Sequence, residues 1–524
     1  MRSLETVALL TLLTACAGAT TTAPPPTERE PTAKPPPVKC PPSIDLAALL
    51  AKHAGAYGTV AAIEAALPRT RTFEIAQGSS TAKCSERIDK AYHRIDCVRG
   101  PLLSAEGIDD KGPWSLSFTG VPMRLEDLEA TEIRFDAWLE RRRYLEEKTD
   151  DISCSDGGGR ATVVARIHKK EIGEPTLAFD LESATLIRVT VTHADGSWAS
   201  TTYESWSDAE ASGVRRPITS TTRYAVQEPE HERVLKDRAG VECGVEPPDV
   251  CFGPPATKVA FNWPKRGRTT IKFDGTLSQI LVRVKVGGRE VNALLDSGAG
   301  ITAIEGGAEA AKSFKSAFEL SGSSATQKVS MGFGELEALE VGDLKIDHLP
   351  AIKVAIPAFA DFGKRRPEVV LGYSLFQAAA IRIDYAQQEV VFAKEADGLK
   401  SGAAKSVAIR DLGGKAIARA EVNHVDAELE IDTGNGGAFD LFERFTTAHN
   451  LPGSLKSVEQ KGRFSAGDAE TVRHLFRLPQ AKLGPIEVKS VLASIDAPPG
   501  SGAIAGLIGN SAFARCKALV FDLS

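Results

Sequence analysis

Two stretches of this chain repeat each other in phase, and the repeat constrains the fold more than any other feature. Val282-Arg283-Val284-Lys285-Val286-Gly287-Gly288-Arg289-Glu290-Val291 leads into Leu294-Leu295-Asp296-Ser297-Gly298. At the same spacing, Ala418-Arg419-Ala420-Glu421-Val422-Asn423-His424-Val425-Asp426-Ala427 leads into Glu430-Ile431-Asp432-Thr433-Gly434. In each copy the pattern predicts a β-hairpin whose second strand ends at the Asp. Downstream, Val370-Leu371-Gly372-Tyr373-Ser374-Leu375-Phe376 returns as Leu507-Ile508-Gly509-Asn510-Ser511-Ala512-Phe513, and Ile381-Arg382-Ile383-Asp384 as Leu519-Val520-Phe521-Asp522. Gly372 follows Asp296 by 76 residues and Gly509 follows Asp432 by 77. A lone Asp-Ser/Thr-Gly reads as a β-turn, because Asp and Gly favour turns. Two copies, each with its partner at a matched distance, predict two versions of one β-rich unit.

These residues resemble the retropepsin-like aspartic peptidase family, in its form with two lobes in one chain, over about residues 270 to 524. The resemblance implies a mainly β chain with two retropepsin-like β-barrel lobes, related by a pseudo-twofold as in the acid-protease fold. It assigns Asp296 and Asp432 to one catalytic pair and Ser297, Gly298, Thr433 and Gly434 to the active-site loops. Gly372 and Gly509 become supporting glycines that let backbone pack closely behind each loop. The hydroxyls of Ser297 and Thr433 are expected to bond across to the opposite lobe. After the loop glycine the family usually has Ala, Ser or Thr; Ala299 follows that pattern, whereas Asn435 departs from it. Met331-Gly332-Phe333-Gly334 and Ala466-Gly467-Asp468 are the expected tips of substrate-covering hairpins. The chain stops at Phe521-Asp522-Leu523-Ser524, while the first copy continues into Gln388-Glu389-Val390-Val391-Phe392, so the second lobe is expected to lack a final strand.

The activity so implied is that of an aspartic endopeptidase, hydrolysing peptide bonds with a water activated between Asp296 and Asp432. Two carboxyls in contact share a proton, so one serves as base and the other as acid. The substrate is a peptide or protein held extended between the lobes; no cofactor and no metal is expected. The alternatives are a bilobal peptide-binding lipoprotein without turnover, and a lipid- or lipoprotein-binding function in the N-terminal domain.

The N-terminus adds a compartment. Arg2, the apolar run Val7 to Leu13 and Leu13-Thr14-Ala15-Cys16 resemble a bacterial lipobox, which implies a lipoprotein signal at 1–15 and lipidation of Cys16. The run is too short to span a bilayer as a helix. Residues 16–40, rich in Pro, Thr and Ala, read as a tether. The expected location is therefore outside the cytoplasm, lipid-anchored at the bacterial outer membrane and facing the periplasm. Seven cysteines follow Cys16, an odd number, so one thiol stays free; Cys84 with Cys97 and Cys243 with Cys251 are near in sequence.

Residues 41–230 are expected to form an antiparallel sheet with helices. Ser43 caps a helical pattern ended by Pro68, with Gly55 and Gly58 as break points. A second helix is expected around Arg134 to Glu147. Alternating runs at Ala161 to Ile167, Leu177 to Leu181 and Leu186 to Thr192, then Asp195-Gly196 and Trp198 to Tyr203, predict the sheet. Gly112-Pro113-Trp114, Asp136-Ala137-Trp138-Leu139 and Leu177-Ala178-Phe179-Asp180 resemble lipoprotein-carrier-like half-barrels. A Pro-rich linker at 231–268 separates this part from lobe 1 at 269–400 and lobe 2 at 401–524. A net charge of −6 over 524 residues, with no aromatic-interleaved basic run, argues against nucleic acid as a partner. The chain is expected to be a monomer.

Overall fold

The structure is a computed structural model. It describes residue 41 and residues 43–523 other than 78–79, 117–119, 150, 157–160, 193–197, 211–212, 225–230, 238–250, 277, 313, 324–327, 401–403, 412–413, 452–456, 463–470 and 498–503. The signal segment, the tether, Cys16, Cys243 and the Asp195-Gly196 turn lie outside the described residues.

The N-terminal part is a 13-stranded sheet made of two meanders, joined where its first strand, Arg69–Gln77, pairs antiparallel with its last, His231–Asp237. Its helices lie against one face. Leu46–Tyr57 is capped by Asp45, not Ser43, the carboxylate accepting the Ala48 N–H at 2.9 Å. The helix breaks at Gly58, whose φ of 108° only glycine adopts readily, and Thr59 caps a new helix at Val60–Ala65. The second expected helix runs earlier than its apolar spacing suggested, Asp127–Glu140, and ends in a tight turn at Arg143–Leu145. Leu46, Leu49, Phe135, Trp138 and Tyr144 fill the sheet's face with Val163, Phe179 and Val189, so this face is a packed core. Cys84 and Cys97, opposite each other on neighbouring strands, form a disulfide; Cys154 and Cys251 are each in a separate disulfide, and among the described cysteines Cys516 is free.

Each C-terminal lobe is a closed six-strand barrel. In lobe 1, Leu281–Val286 pairs with Arg289–Leu295 through a Gly287-Gly288 turn with both φ values positive, the geometry that suits strand twist. Arg289–Leu295 then pairs in parallel with Val369–Leu371, which pairs with Thr302–Glu305. Leu344–Val354 and Lys328–Val341 complete the ring back to Leu281–Val286. Lobe 2 repeats this order with Ala416–Val422, Val425–Asp432, Gly506–Gly509, Phe439–Phe442, Ile486–Ala497 and Thr471–Leu483.

Among the described residues lobe 2 has no counterpart of the strand Glu389–Ala393, as expected. The last strand of lobe 2, Ala518–Phe521, pairs antiparallel with Ala380–Asp384 of lobe 1, Ile381 facing Phe521. It joins Arg268–Lys272 and Glu389–Ala393 in a four-stranded sheet to which lobe 1 gives three strands and lobe 2 one. Barrel closure does not use this strand, so lobe 2 is closed without a counterpart of 388–392. Phe521, fully buried, packs edge-on to Phe376 across the lobe boundary, 4.8 Å between ring centres.

The N-terminal sheet packs on the linker segment around Phe252 and on lobe 1. Trp114 Nε1 donates to the Phe252 carbonyl at 2.9 Å and an Arg94 guanidinium nitrogen donates to the Gly253 carbonyl at 2.9 Å. Leu102, 1% exposed, belongs to the apolar cluster of Leu294, Ile301, Phe333 and Val370. Beside it the Arg99 guanidinium lies over the Phe318 ring, 5.5 Å from its centre.

Candidate active site

The two Asp loops meet where the barrels face each other. Behind each loop the parallel pairing holds it in register: Leu295 opposite Leu371 in lobe 1, and Asp432 opposite Gly509 in lobe 2. The supporting glycines are steric necessities at these points. A Cβ on Gly372 would stand 2.5 Å from the Ile301 carbonyl carbon, and one on Gly509 would strike the Gly437 carbonyl. No ordinary side chain fits there.

Ser297 and Thr433 exchange hydrogen bonds across the boundary. The Ser297 N–H donates to Thr433 Oγ1 at 3.0 Å and the Thr433 N–H to Ser297 Oγ at 3.0 Å. Each hydroxyl then donates onward to the opposite strand, Ser297 Oγ to the Ile431 carbonyl at 2.7 Å and Thr433 Oγ1 to the Leu295 carbonyl at 3.0 Å. Both side chains are fully buried, so these four bonds have no competing water and fix one loop on the other.

The carboxyls sit symmetrically. Asp296 Oδ1 accepts from the Gly298 and Ala299 N–H groups at 2.9 and 3.1 Å; Asp432 Oδ1 accepts from Gly434 and Asn435 at 2.9 and 3.0 Å. Each Asp also packs on the other loop's glycine. A Cβ on Gly298 would lie 2.6 Å from Asp432 Cγ, and one on Gly434 would collide with the Asp296 carboxyl. The four sequence-predicted loop residues are therefore brought together with both carboxyls.

Burial raises the proton affinity of both carboxyls, and the hydrogen bond between them divides it unequally. Asp432 is pushed well above the usual carboxylate range by burial and then by the Asp296 charge. Asp296 is raised by burial, while its bond to Asp432 pulls it back down. Burial and mutual contact thus favour the neutral form at both carboxyls of the pair.

Three residues escaped the sequence reading. Glu430 lies two residues before Asp432 on the same strand, 1% exposed, with Lys415 Nζ 2.7 Å from its Oε2. Burial pushes its carboxyl up to about 7, against the pull of Lys415. Asp440 is buried and accepts from Asn435 Nδ2 at 2.9 Å. Aligning the two copies residue by residue is the signal that could have found them, because Glu430 stands where the first copy has Leu294.

The first expected hairpin tip is corrected. Met331-Gly332-Phe333-Gly334 lies within the strand Lys328–Val341, paired with Ser316–Ser323; residues 324–327 between the two strands lie outside the described residues. Ala466-Gly467-Asp468 also lies outside them. Among the described residues, no group of three or more His, Cys, Asp or Glu is arranged to hold a metal ion.

Residues 282–375, lobe 1 from its first hairpin to its helix, match the family model described as Aspartyl protease, so the resemblance is borne out over that stretch. No curated protein sequence matches the chain. Among solved structures, a retropepsin-like aspartic protease from Rickettsia conorii is 19% identical, covering 22% of this chain and 89% of its own, with a TM-score of 0.18. A LolA superfamily protein from Nitrosomonas europaea is 11% identical, covering 40% of this chain and 98% of its own, with a TM-score of 0.28. The MucA/MucB complex of Pseudomonas aeruginosa gives 10% identity over 62% of this chain and 98% of its own, with a TM-score of 0.17.

Proposed function

We propose that this chain is an aspartic endopeptidase in which Asp296 and Asp432 activate one water between them. The observation that carries the reading is the reciprocal exchange of Ser297 and Thr433 hydrogen bonds, which holds two buried, proton-sharing carboxyls against each other. Such a pair is suited to acid and base work in one step. The ionised carboxyl takes a proton from water, the water oxygen bonds to the peptide carbonyl carbon, and the protonated carboxyl gives its proton to the carbonyl oxygen. Collapse of the resulting diol breaks the C–N bond, with a proton delivered to the leaving nitrogen. The main-chain N–H pairs on each Asp orient the carboxyls and leave the chemistry to their remaining oxygens.

In the same reading the protein is exported, lipidated on Cys16 and tethered to the envelope by 16–40; the support is the Leu13-Thr14-Ala15-Cys16 sequence after an apolar run. Labelling with a fatty-acid analogue should be lost in Cys16→Ala.

The test of the activity is incubation of the folded chain with a mixed peptide library from about pH 3 to pH 8, with products read by mass spectrometry. Cleavage at defined bonds is expected; folded protein that leaves the library intact at every pH would sink the reading.

A further inference from the structure

One cross-strand row runs beside each Asp, and the two rows differ in kind. In lobe 1, Leu294 and Ala303 both pair with Val370, so the row beside Asp296 is Leu294, Val370, Ala303. In lobe 2, Glu430 and Asp440 both pair with Leu507, so the row beside Asp432 is Glu430, Leu507, Asp440. The same backbone position is apolar on one side and doubly acidic on the other.

Both added carboxylates are fixed. Asn435 bridges Asp432 and Asp440: its main-chain N–H donates to Asp432 Oδ1 at 3.0 Å and its Nδ2 to Asp440 Oδ2 at 2.9 Å. Glu430 is tied to Lys415, itself buried. The charged and titratable groups around Asp432 are thus Asp296 from the opposite loop, Glu430 from its own strand, Asp440 from Phe439–Phe442, and Lys415 ahead of Ala416–Val422; Glu430 also acts on Tyr373, after Gly372. One cation faces two extra carboxylates.

On the peptidase reading above, we propose that Asp440 is a positioning residue that keeps the shared proton on Asp432, making Asp432 the acid and Asp296 the base. Negative charge beside a carboxyl favours its neutral form; Asp440, tied to the Asp432 loop through Asn435, has Ala303 as its counterpart in the row beside Asp296, whereas Glu430, paired with Lys415, acts on Asp296 as well. Water then loses its proton to Asp296 while its oxygen bonds to the carbonyl carbon, and the carbonyl oxygen takes the proton of Asp432. In the second step Asp296 returns its proton to the leaving nitrogen and Asp432 recovers one from the diol, so the pair ends as it began. The raised proton affinity of Asp432, due first to burial and then to Asp296 with a contribution from Asp440, agrees with this assignment.

The test is difference infrared spectroscopy of the neutral carboxylic acid C=O band in 13C-aspartate-labelled protein, titrated with pH. Asp296→Asn should keep the Asp432 acid band at near-neutral pH, whereas Asp432→Asn should leave Asp296 ionised there. Adding Asp440→Asn to Asp296→Asn should lower the Asp432 midpoint by about one pH unit, a tenfold loss of proton affinity. Asp440→Ala, which copies Ala303 of the apolar row, gives a second variant should the first fail to fold. A midpoint unmoved in both, or an acid band that survives Asp432→Asn and vanishes in Asp296→Asn, overturns the assignment. The readout needs no turnover. A chain that holds the proton on Asp432 but cleaves nothing refutes the peptidase reading alone, and one that cleaves with an unmoved midpoint refutes the assignment alone.

Discussion

The two lobes are alike in backbone and unlike in charge. Both close six strands in the same order, both place an Asp at the end of the second hairpin strand, and both reserve a glycine for the other lobe's carboxyl. They part at the row beside the Asp, at the sheet they share, to which lobe 1 gives three strands and lobe 2 one, and at the apolar cluster that extends from lobe 1 to Leu102. The difference teaches which features the geometry of a shared site requires. Features that set the distance between the carboxyls are duplicated, because each lobe must meet the other's copy. Features that decide where the proton rests need stand on one side only.

The largest effect should come from disturbing what is duplicated. Gly434→Ala drives a methyl group into the Asp296 carboxyl, and a displacement of this kind should cost about 10²-fold or more in kcat/KM. Gly298→Ala, against Asp432, should match it; a large effect in one lobe alone would break the symmetry claimed for the loops.

Next comes the charge that only lobe 2 carries. Lys415→Met leaves Glu430 buried without its cation and should destabilise the fold by about 3–5 kcal/mol in urea denaturation. Lys415→Met with Glu430→Leu should recover most of that loss, since a well-packed apolar pair is near neutral. The pH dependence has a definite sign. Glu430 is raised from 4.5 to about 7 by burial, so its contribution to stability is fully present below about pH 4.5 and lost as pH rises through 7. Its share is on the order of 3 kcal/mol, with Asp296 and Asp432 acting in the same direction. Stability measured from acid to neutral pH should therefore fall in the parent and fall less in the double variant. Equal slopes would remove Glu430 from the account.

The smallest effect sharpens the likeness. Thr433→Val keeps the shape but removes a hydroxyl that accepts from Ser297 and donates to Leu295, at a cost of about 1–3 kcal/mol. Ser297→Ala, which removes the mirror-image pair, should fall in the same range by thermal or chemical denaturation.

What was legible in the sequence was what the chain says twice. Asp, hydroxyl and glycine recur in phase, so their spacing predicted two copies of one unit, and the family resemblance implied that the two would meet. Glu430 and Asp440 stayed hidden because they differ from Leu294 and Ala303, and because their common neighbour Leu507 reaches them only through pairings with two separate strands. The hairpin tip was misplaced for a steric reason. Gly332 and Gly334 sit mid-strand because Ser316 and the Lys315 carbonyl press on them, a need for space that reads in sequence like a turn. The pairing of Ala518–Phe521 was not legible because its partner, Ala380–Asp384, belongs to the other lobe, and inter-lobe pairing leaves no local pattern.

The most direct test of one site built from two lobes is the kcat/KM of Asp296→Asn, Asp432→Asn and the double variant on a peptide the parent chain cleaves. Residues that act as a unit are non-additive: each single variant should lose about as much as the double, at least about 10³-fold. A single variant that keeps near-parental activity, or losses that add in the double, would contradict a shared pair.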